Sequence, residues 1–253
     1  MIATPLRIVT WNLHAGVGLD GRLDVERLAR ELAALEPDVA ALQEVDAYRP
    51  RSGFAAQWRE YGRLAGLAAF YGPNLTHVHA PGDEGPPGHA GRWVEQYGNA
   101  LLTRLPVRAA ELHLLTCRSE GDGYHEQRGC LEVDAGPAVW LCTHWGLHQE
   151  ERSGQSRDLL AVAGRRAPAP VVVLGDLNAV SVSPEVMPLR QAWLDAGAGA
   201  GPTHPAGRPQ VRIDYCFLPR SWRVLEARVV DTAASDHLPL LVVADTGGDP
   251  GNR

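Results

Sequence analysis

The sequence predicts an α/β fold, a sandwich built on mixed β-sheets rather than a doubly wound parallel sheet. Three observations carry this. Strand-like and helix-like segments alternate early in the chain. The second half is rich in strands. The length of 253 residues stands near the upper limit of one large α/β domain and suffices to bury a sizeable core. No internal repeat and no interior linker divides the chain, so a single domain over residues 1–246 is expected. The closing "GGDPGNR" (247–253) reads as a disordered tail.

"LRIVTWN" (6–12) reads as a β-branched strand ending in Asn12. "DVERLARELAALEPD" reads as a helix: Asp24 can cap it, Val25, Leu28, Leu32 and Leu35 share one face, and Pro37 stops it. "VAALQEV" is the next strand, apolar until Gln43 and Glu44. Residues 52–69 carry a weak helical pattern. Residues 72–96 read as a Gly/Pro/His-rich loop able to close over a compact ligand. "NALLTRLPV", "GCLEVD" and "AVWLCTHW" read as strands and "EERSGQSRDLLAVAGRR" as a helix. "VVVLGDLN", "VRIDYCFLP" and "LPLLVVAD" complete the strands.

Composition is that of an ordinary globular protein, 45% apolar and 21% charged. The net charge of −6 argues against a protein whose main task is gripping nucleic-acid backbone, though not against a local basic patch. All basic residues are Arg; codon bias explains this better than phosphate binding does. Cys117, Cys130, Cys142 and Cys216 form no C-x-x-C pair and no Cys/His cluster with zinc spacing, and three of them fit as small buried hydrophobes. No signal-peptide pattern and no stretch of transmembrane length is found, which leads to the expectation of a cytoplasmic protein.

Five strands deliver polar residues at or near their ends: Asn12, Glu44, His144, Asp176 with Asn178, and Asp236 with His237. Each alone has a bland explanation, such as an Asx-turn at Asn12 or a solvated strand end at Glu44. Asp214, inside "RIDYCF", is harder to dismiss. Its neighbours Ile213, Tyr215 and Phe217 imply a packed strand, where an ionised carboxylate is costly unless paired. His237 is a natural partner, with Arg212 the alternative. The set suits a hard cation such as Mg²⁺, which takes one or two carboxylates and keeps several waters. Phosphoester hydrolysis needs an activated water, charge neutralisation and help for the leaving oxygen. Asp, Mg²⁺ with Asn, and His supply these. Phosphate-cradling glycine loops and a G-x-S-x-G nucleophile turn are both missing.

In order, "TWNLH", "LQEV", "YGNALLTRLPV", "THWGL", "GDLN", "RIDYCF" and "SDHLP" resemble the blocks of the endonuclease/exonuclease/phosphatase superfamily, the deoxyribonuclease-I-like fold, from residue 8 to about 243. The resemblance implies a four-layer sandwich: two mixed β-sheets face to face, helices on the outer faces, the site at one end. It implies that Glu44, with Asn12 and Asp236, positions one Mg²⁺ or Mn²⁺. Asp176 would align or activate the attacking water, and Asn178 would hold it or a phosphoryl oxygen. Asp214 would pair with His237, and His144 would contact the phosphate or assist the leaving group. Asn99 and Arg128 fall where the family places phosphate-contacting or supporting groups, a salt bridge being the alternative for Arg128. Arg152 and Gln155 read as structural. Trp93 and Tyr97 could touch substrate. His77 and His79 have H-x-H spacing, yet they and His89 read as solvated rather than as metal ligands. Trp145 stands where many members carry Leu.

The resulting expectation is a Mg²⁺- or Mn²⁺-dependent phosphoester hydrolase, a phosphodiesterase or phosphomonoesterase. Its substrate would be small or lipid-derived in preference to nucleic acid. A monomer without membrane insertion is expected. A metal-dependent nuclease is the alternative within the family, and an inactive binding module the alternative outside enzymes. The binuclear metallophosphoesterases share a "GD" block but need a G-N-H-[DE] block, which is absent.

Overall fold

The computed structural model describes residues 5–118 and 125–247. Its strands are β1 (Leu6–Asn12), β2 (Val39–Ala47), β3 (Ala68–His79), β4 (Trp93–Thr103), β5 (Val107–Leu114), β6 (Gly129–Ala135), β7 (Ala138–His144), β8 (Val171–Asp176), β9 (Leu194–Asp195), β10 (Asp214–Leu218), β11 (Arg223–Val229) and β12 (Leu240–Asp245). The helices are α1 (Val25–Ala34), α2 (Gln57–Ala65), α3 (Gln149–Gly164) and α4 (Met187–Ala192). Two six-stranded sheets result, ordered β11-β12-β1-β2-β4-β3 and β5-β6-β7-β8-β10-β9. Each holds one parallel pair, β1/β2 in the first and β7/β8 in the second; the other pairs are antiparallel.

The period of two in a strand sorts side chains to the two faces of a sheet. Val172 and Leu174 of β8 enter the core between the sheets, with Ile8, Ala41, Trp140 and Cys142. Val171 and Val173 face outward, where α3 and α4 cover them with Leu159, Val162 and Leu189. On the other sheet, Val9 and Trp11 meet Leu28, Leu32 and Tyr61 from α1 and α2. Burial on both faces is why "VVVL" is unbroken by polar residues. The four-layer sandwich with helices outside is thus present. Asp24 caps α1 as expected, accepting the Arg27 N–H at 2.8 Å. Cys130, Cys142 and Cys216 are buried, and no helix among the described residues is long and apolar enough to cross a membrane.

Several expectations need correction. The stretch 72–96 is mostly not a loop: β3 continues to His79 and β4 starts at Trp93, leaving 80–92 as the connection of a two-stranded ribbon. "NALLTRLPV" is not one strand, because the chain leaves β4 after Thr103 and enters β5 at Val107. The weak helix over 52–69 shrinks to α2. The strand "VRIDYCFLP" shrinks to β10, and β3, β9, β11 and α4 had no counterpart in the sequence reading. The expected tail lies, from residue 248 on, outside the described residues.

Candidate active site

The two parallel pairs end on the same side of the molecule, so their carboxyl ends deliver Asn12, Glu44, His144 and Asp176 to one place. Open α/β sheets bind ligands in such crevices. Strand β10 runs antiparallel to β8 and begins there, with Asp214 directly opposite Asp176. Two local devices shape the strand ends. Gly175 has φ +151, and a Cβ there would collide with the Thr143 carbonyl, so the close β7–β8 approach beside Asp176 requires glycine. Asn178 turns the chain at φ +47, a region Asn tolerates, and its N–H donates to Asp176 Oδ1 at 2.9 Å.

Asp176 Oδ2 is the centre of the arrangement. It accepts from Asn12 Nδ2 at 3.0 Å, a hydrogen bond that crosses from one sheet to the other. His144 Nε2 lies 3.5 Å from the same oxygen and His237 Nε2 3.7 Å. Burial and the neighbouring Asp214 charge push the Asp176 carboxyl up to about 7, against the opposing pull of His237, the Asn178 N–H and Asn12. The expected Asp214–His237 pair is present, Oδ2 to Nδ1 at 3.0 Å, and the alternative partner Arg212 is bound to Asp195 instead. Burial alone would lower His237. The Asp214 charge and hydrogen bond, with Asp176 and Asp236, overcome it and hold the imidazole up at about 10. His237 is therefore an imidazolium at neutral pH. Trp11 Nε1 fixes its backbone carbonyl at 2.9 Å.

His144 is the opposite case. Burial, then the Arg128 and His237 charges, drive it well below the ordinary histidine value, so its ring is neutral. Arg128 Nη1 stands 2.9 Å from Nδ1, and Asn178 Nδ2 stands 3.0 Å from Nε2. The Asn178 amide is not free to flip, since Nδ2 also donates to the Trp145 carbonyl at 2.9 Å. A neutral imidazole carries one N–H, and Arg128 can only donate. Whichever nitrogen bears the proton, one donor therefore opposes another, and an anionic oxygen beside them would relieve the mismatch.

Glu44 sits in a register shift of β2 at φ +56, a strained region for a non-glycine residue. Its Oε1 accepts from Asn12 Nδ2 at 2.9 Å. Among the described residues no Arg or His forms an ion pair with it. A half-exposed carboxylate beside an Asn and a second carboxylate, without a cation, fits a hard divalent metal ion. Asp236 stands farther round the rim, within 4.8 Å of ligand atoms of His204 and His237 and 3.8 Å from His14 Nδ1. Of the remaining sequence candidates, Asn99, Tyr97, Trp93 and Gln155 are buried, Arg152 is half-buried and His77 is exposed. Asn99 donates to the Gly129 carbonyl at 3.0 Å, tying the sheets together. Tyr97 lies under the guanidinium groups of Arg49 and Arg51, at 5.7 and 5.3 Å. Trp93 stacks on His79 at 3.8 Å, and His77 packs edge-on to that ring. Arg152 binds Glu185, and Gln155 binds the Gly146 N–H and the Thr116 carbonyl.

Sequence reasoning missed two residues. His204 packs its ring 4.5 Å from His237, and burial followed by the His237 charge lowers it. Glu126 pairs with Arg128 at 2.8 Å and is raised, by burial first, against the Arg128 charge. Neither carries a local signal. The "TH" of "PTHP" and the "E" of "HEQR" become site residues through tertiary contact alone.

The endonuclease/exonuclease/phosphatase family model matches residues 9–237. No curated protein matches the sequence. Among solved structures, an endonuclease/exonuclease/phosphatase from Beutenbergia cavernae is 26% identical, with a TM-score of 0.77; the match covers 97% of this chain and 72% of that one. The Bacteroides thetaiotaomicron mannosyl-6-phosphatase Bt3783 is similar at 15% identity and TM-score 0.69, over 94% and 99% of the two chains. The human Nocturnin catalytic domain, with bound sulfate, is similar at 21% identity and TM-score 0.66, over 95% and 93%. With the family model covering most of the chain and every strand end that builds the site, the chain belongs to the endonuclease/exonuclease/phosphatase family and is a phosphoester hydrolase.

Proposed function

We propose that this protein is a Mg²⁺- or Mn²⁺-dependent phosphoester hydrolase that acts through Asp176. The observation that carries the reading is the set of groups around Asp176 Oδ2: Asn12, neutral His144 and charged His237, all within 3.7 Å. Asn12 and Glu44 would hold the metal ion, with Asp236 reaching it from the rim. When bound there, the ion would supply charge neutralisation at phosphorus. Asp176, with its proton affinity near neutrality, accepts a proton from the attacking water, which it orients together with Asn178. The His144 N–H and the Asn178 amide hold one phosphoryl oxygen between them. His237, kept protonated by Asp214, stabilises charge on the leaving oxygen or protonates it. Burial, then the Arg128 charge, keep His144 neutral, and Arg128 holds it in place.

The test is hydrolysis of 4-nitrophenyl phosphate and bis(4-nitrophenyl) phosphate, with Mg²⁺, Mn²⁺ or EDTA. Turnover of one of them should appear with metal and vanish with EDTA. Asp176→Asn should lower kcat by about 10²–10⁴-fold, the usual contribution of a general base. Activity that survives either EDTA or Asp176→Asn would overturn the reading.

A further inference from the structure

The ribbon of β3 and β4 outruns its own sheet. β2 pairs with β4 only as far as Gln96, so from His77 to His79 and from Trp93 to Glu95 the two strands pair only with each other among the described residues. A two-stranded ribbon on its own is marginally stable in water. In this register His77 stands opposite Glu95 and His79 opposite Trp93, which puts all four side chains on one face. His77, His79 and Glu95 line a cavity of about 340 Å³ together with Arg49 and Tyr97.

The expectation of solvated histidines does not describe His79. Its Nε2 is enclosed and has no hydrogen-bond partner among the described residues. Glu95 Oε2 lies 3.6 Å from it. That is too long for a hydrogen bond. It is close to the separation of about 3.3 Å between two ligand atoms on a tetrahedral zinc ion bound at about 2.0 Å. The other ring nitrogen, Nδ1, faces Asp83 Oδ2 at 3.7 Å, and that oxygen is fixed by the Ala80 N–H at 2.8 Å. A carboxylate behind the outer nitrogen is how metal-binding imidazoles are oriented. Trp93 stacks on the His79 ring at 3.8 Å and fixes its plane. Arg49 Nη2 stands 3.7 Å from Glu95 Oε1 and so steadies the carboxylate by its other oxygen. The His77 ring is exposed and lies 4.4 Å from that of His79, near enough to supply a third nitrogen when its side chain rotates.

We propose that His79 Nε2, Glu95 Oε2 and His77 form a binding site for a borderline-soft divalent ion, Zn²⁺ being the best match, with water in the fourth position. Two imidazoles and one carboxylate suit zinc, whereas the hard ion expected at Asn12 and Glu44 takes oxygen ligands. The bound ion clips β3 to β4 beyond the reach of β2, where the ribbon has least support. The site is independent of the hydrolase reading.

The experiment titrates Zn²⁺ into the protein by calorimetry, with excess Mg²⁺ present to fill the hard-cation site. Zn²⁺ should bind to the wild type. Its affinity should fall at least about tenfold in each of His79→Gln, Glu95→Gln and His77→Gln, the last a change at an exposed side chain that leaves the fold intact. Glu44→Gln, which alters the hard-cation site, should keep the affinity. Zn²⁺ should also slow tryptic cleavage after the exposed Arg92, in the connection 80–92, for the wild type and not for His79→Gln. A wild type that binds no Zn²⁺, an affinity retained in any of the three ribbon variants, or one lost in Glu44→Gln would overturn the site. Cleavage indifferent to Zn²⁺ would overturn the clip.

Discussion

At the scale of single residues, the site is a set of protonation states held away from their ordinary values by named neighbours. His237 is charged because Asp214 and Asp176 outweigh its burial, while His144 is neutral because burial and Arg128 act together. Asp176 carries the cost. Its carboxyl is fully enclosed between the sheets, and its folded pKa is raised from 3.8 to about 7. A group raised in this way favours the folded state most when protonated. Its contribution is fully present below about pH 4 and is lost as pH rises through about 7. Metal-free Asp176→Asn should therefore be more stable than the wild type at pH 8, by roughly 2–4 °C in Tm if relief of the buried charge amounts to about 1 kcal/mol. The gain should fade toward pH 4, while catalysis is lost. Thermal unfolding of both proteins across pH 4–8 in EDTA reads this, and a variant less stable than wild type at pH 8 would mean that Asn12 and His237 fully compensate the charge.

At the scale of elements, what the sequence disclosed depended on how many faces of a strand are buried. β7 and β8 lie in mid-sheet, and their continuous apolar runs are plain. The sheet edges are β11, β3, β5 and β9. Three of them had no counterpart in the sequence reading, and β5 was met only at its first residue, Val107, where the expected strand "NALLTRLPV" ended. An edge strand buries little, so its pattern dissolves into polar and turn-like residues. In β3, Pro73 sits at a register shift, where a missing ladder donor is tolerated. The Asp214–His237 pair was legible because burying an unpaired carboxylate is costly. His204 was not, since its partner lies 33 residues away. Element strain also has a testable cost. Glu44 is held at φ +56 by the β2 bulge, which places its carboxylate beside Asn12. Glu44→Gly should be at least as stable as Glu44→Ala, by about 0.5–1 kcal/mol, because glycine adopts this conformation freely. Both should lose Mn²⁺ affinity by calorimetry. Greater stability of the alanine variant would show that the bulge is not under strain.

At the scale of the whole molecule, the site depends on the packing of two sheets, and its electrostatics depend on where the arginines are committed. The Asn12–Asp176 bond joins the sheets at the site, and the Asn99 bond to Gly129 joins them again nearby. Around this seam, Arg51 is bound by Asp46, Arg128 by Glu126, Arg152 by Glu185 and Arg212 by Asp195. Few of them remain free to bind a row of phosphates, and the net charge is −6. Binding duplex DNA through Z phosphates gives a log–log salt slope of about −0.9Z, so a grip of six or more contacts loses about 10³-fold or more between 50 and 200 mM salt. The opposite is expected here. Turnover of a small phosphoester should change by less than about threefold over that range, because one phosphate meets one enclosed set of donors, and buried pairs are screened far less than exposed ones. Duplex DNA should be a poor substrate throughout. The measurement is plasmid nicking alongside ester hydrolysis over the same salt series with Mn²⁺. Nicking at physiological salt faster than the hydrolysis of any small ester would require cations outside this seam, and would assign the chain to nucleic-acid cleavage.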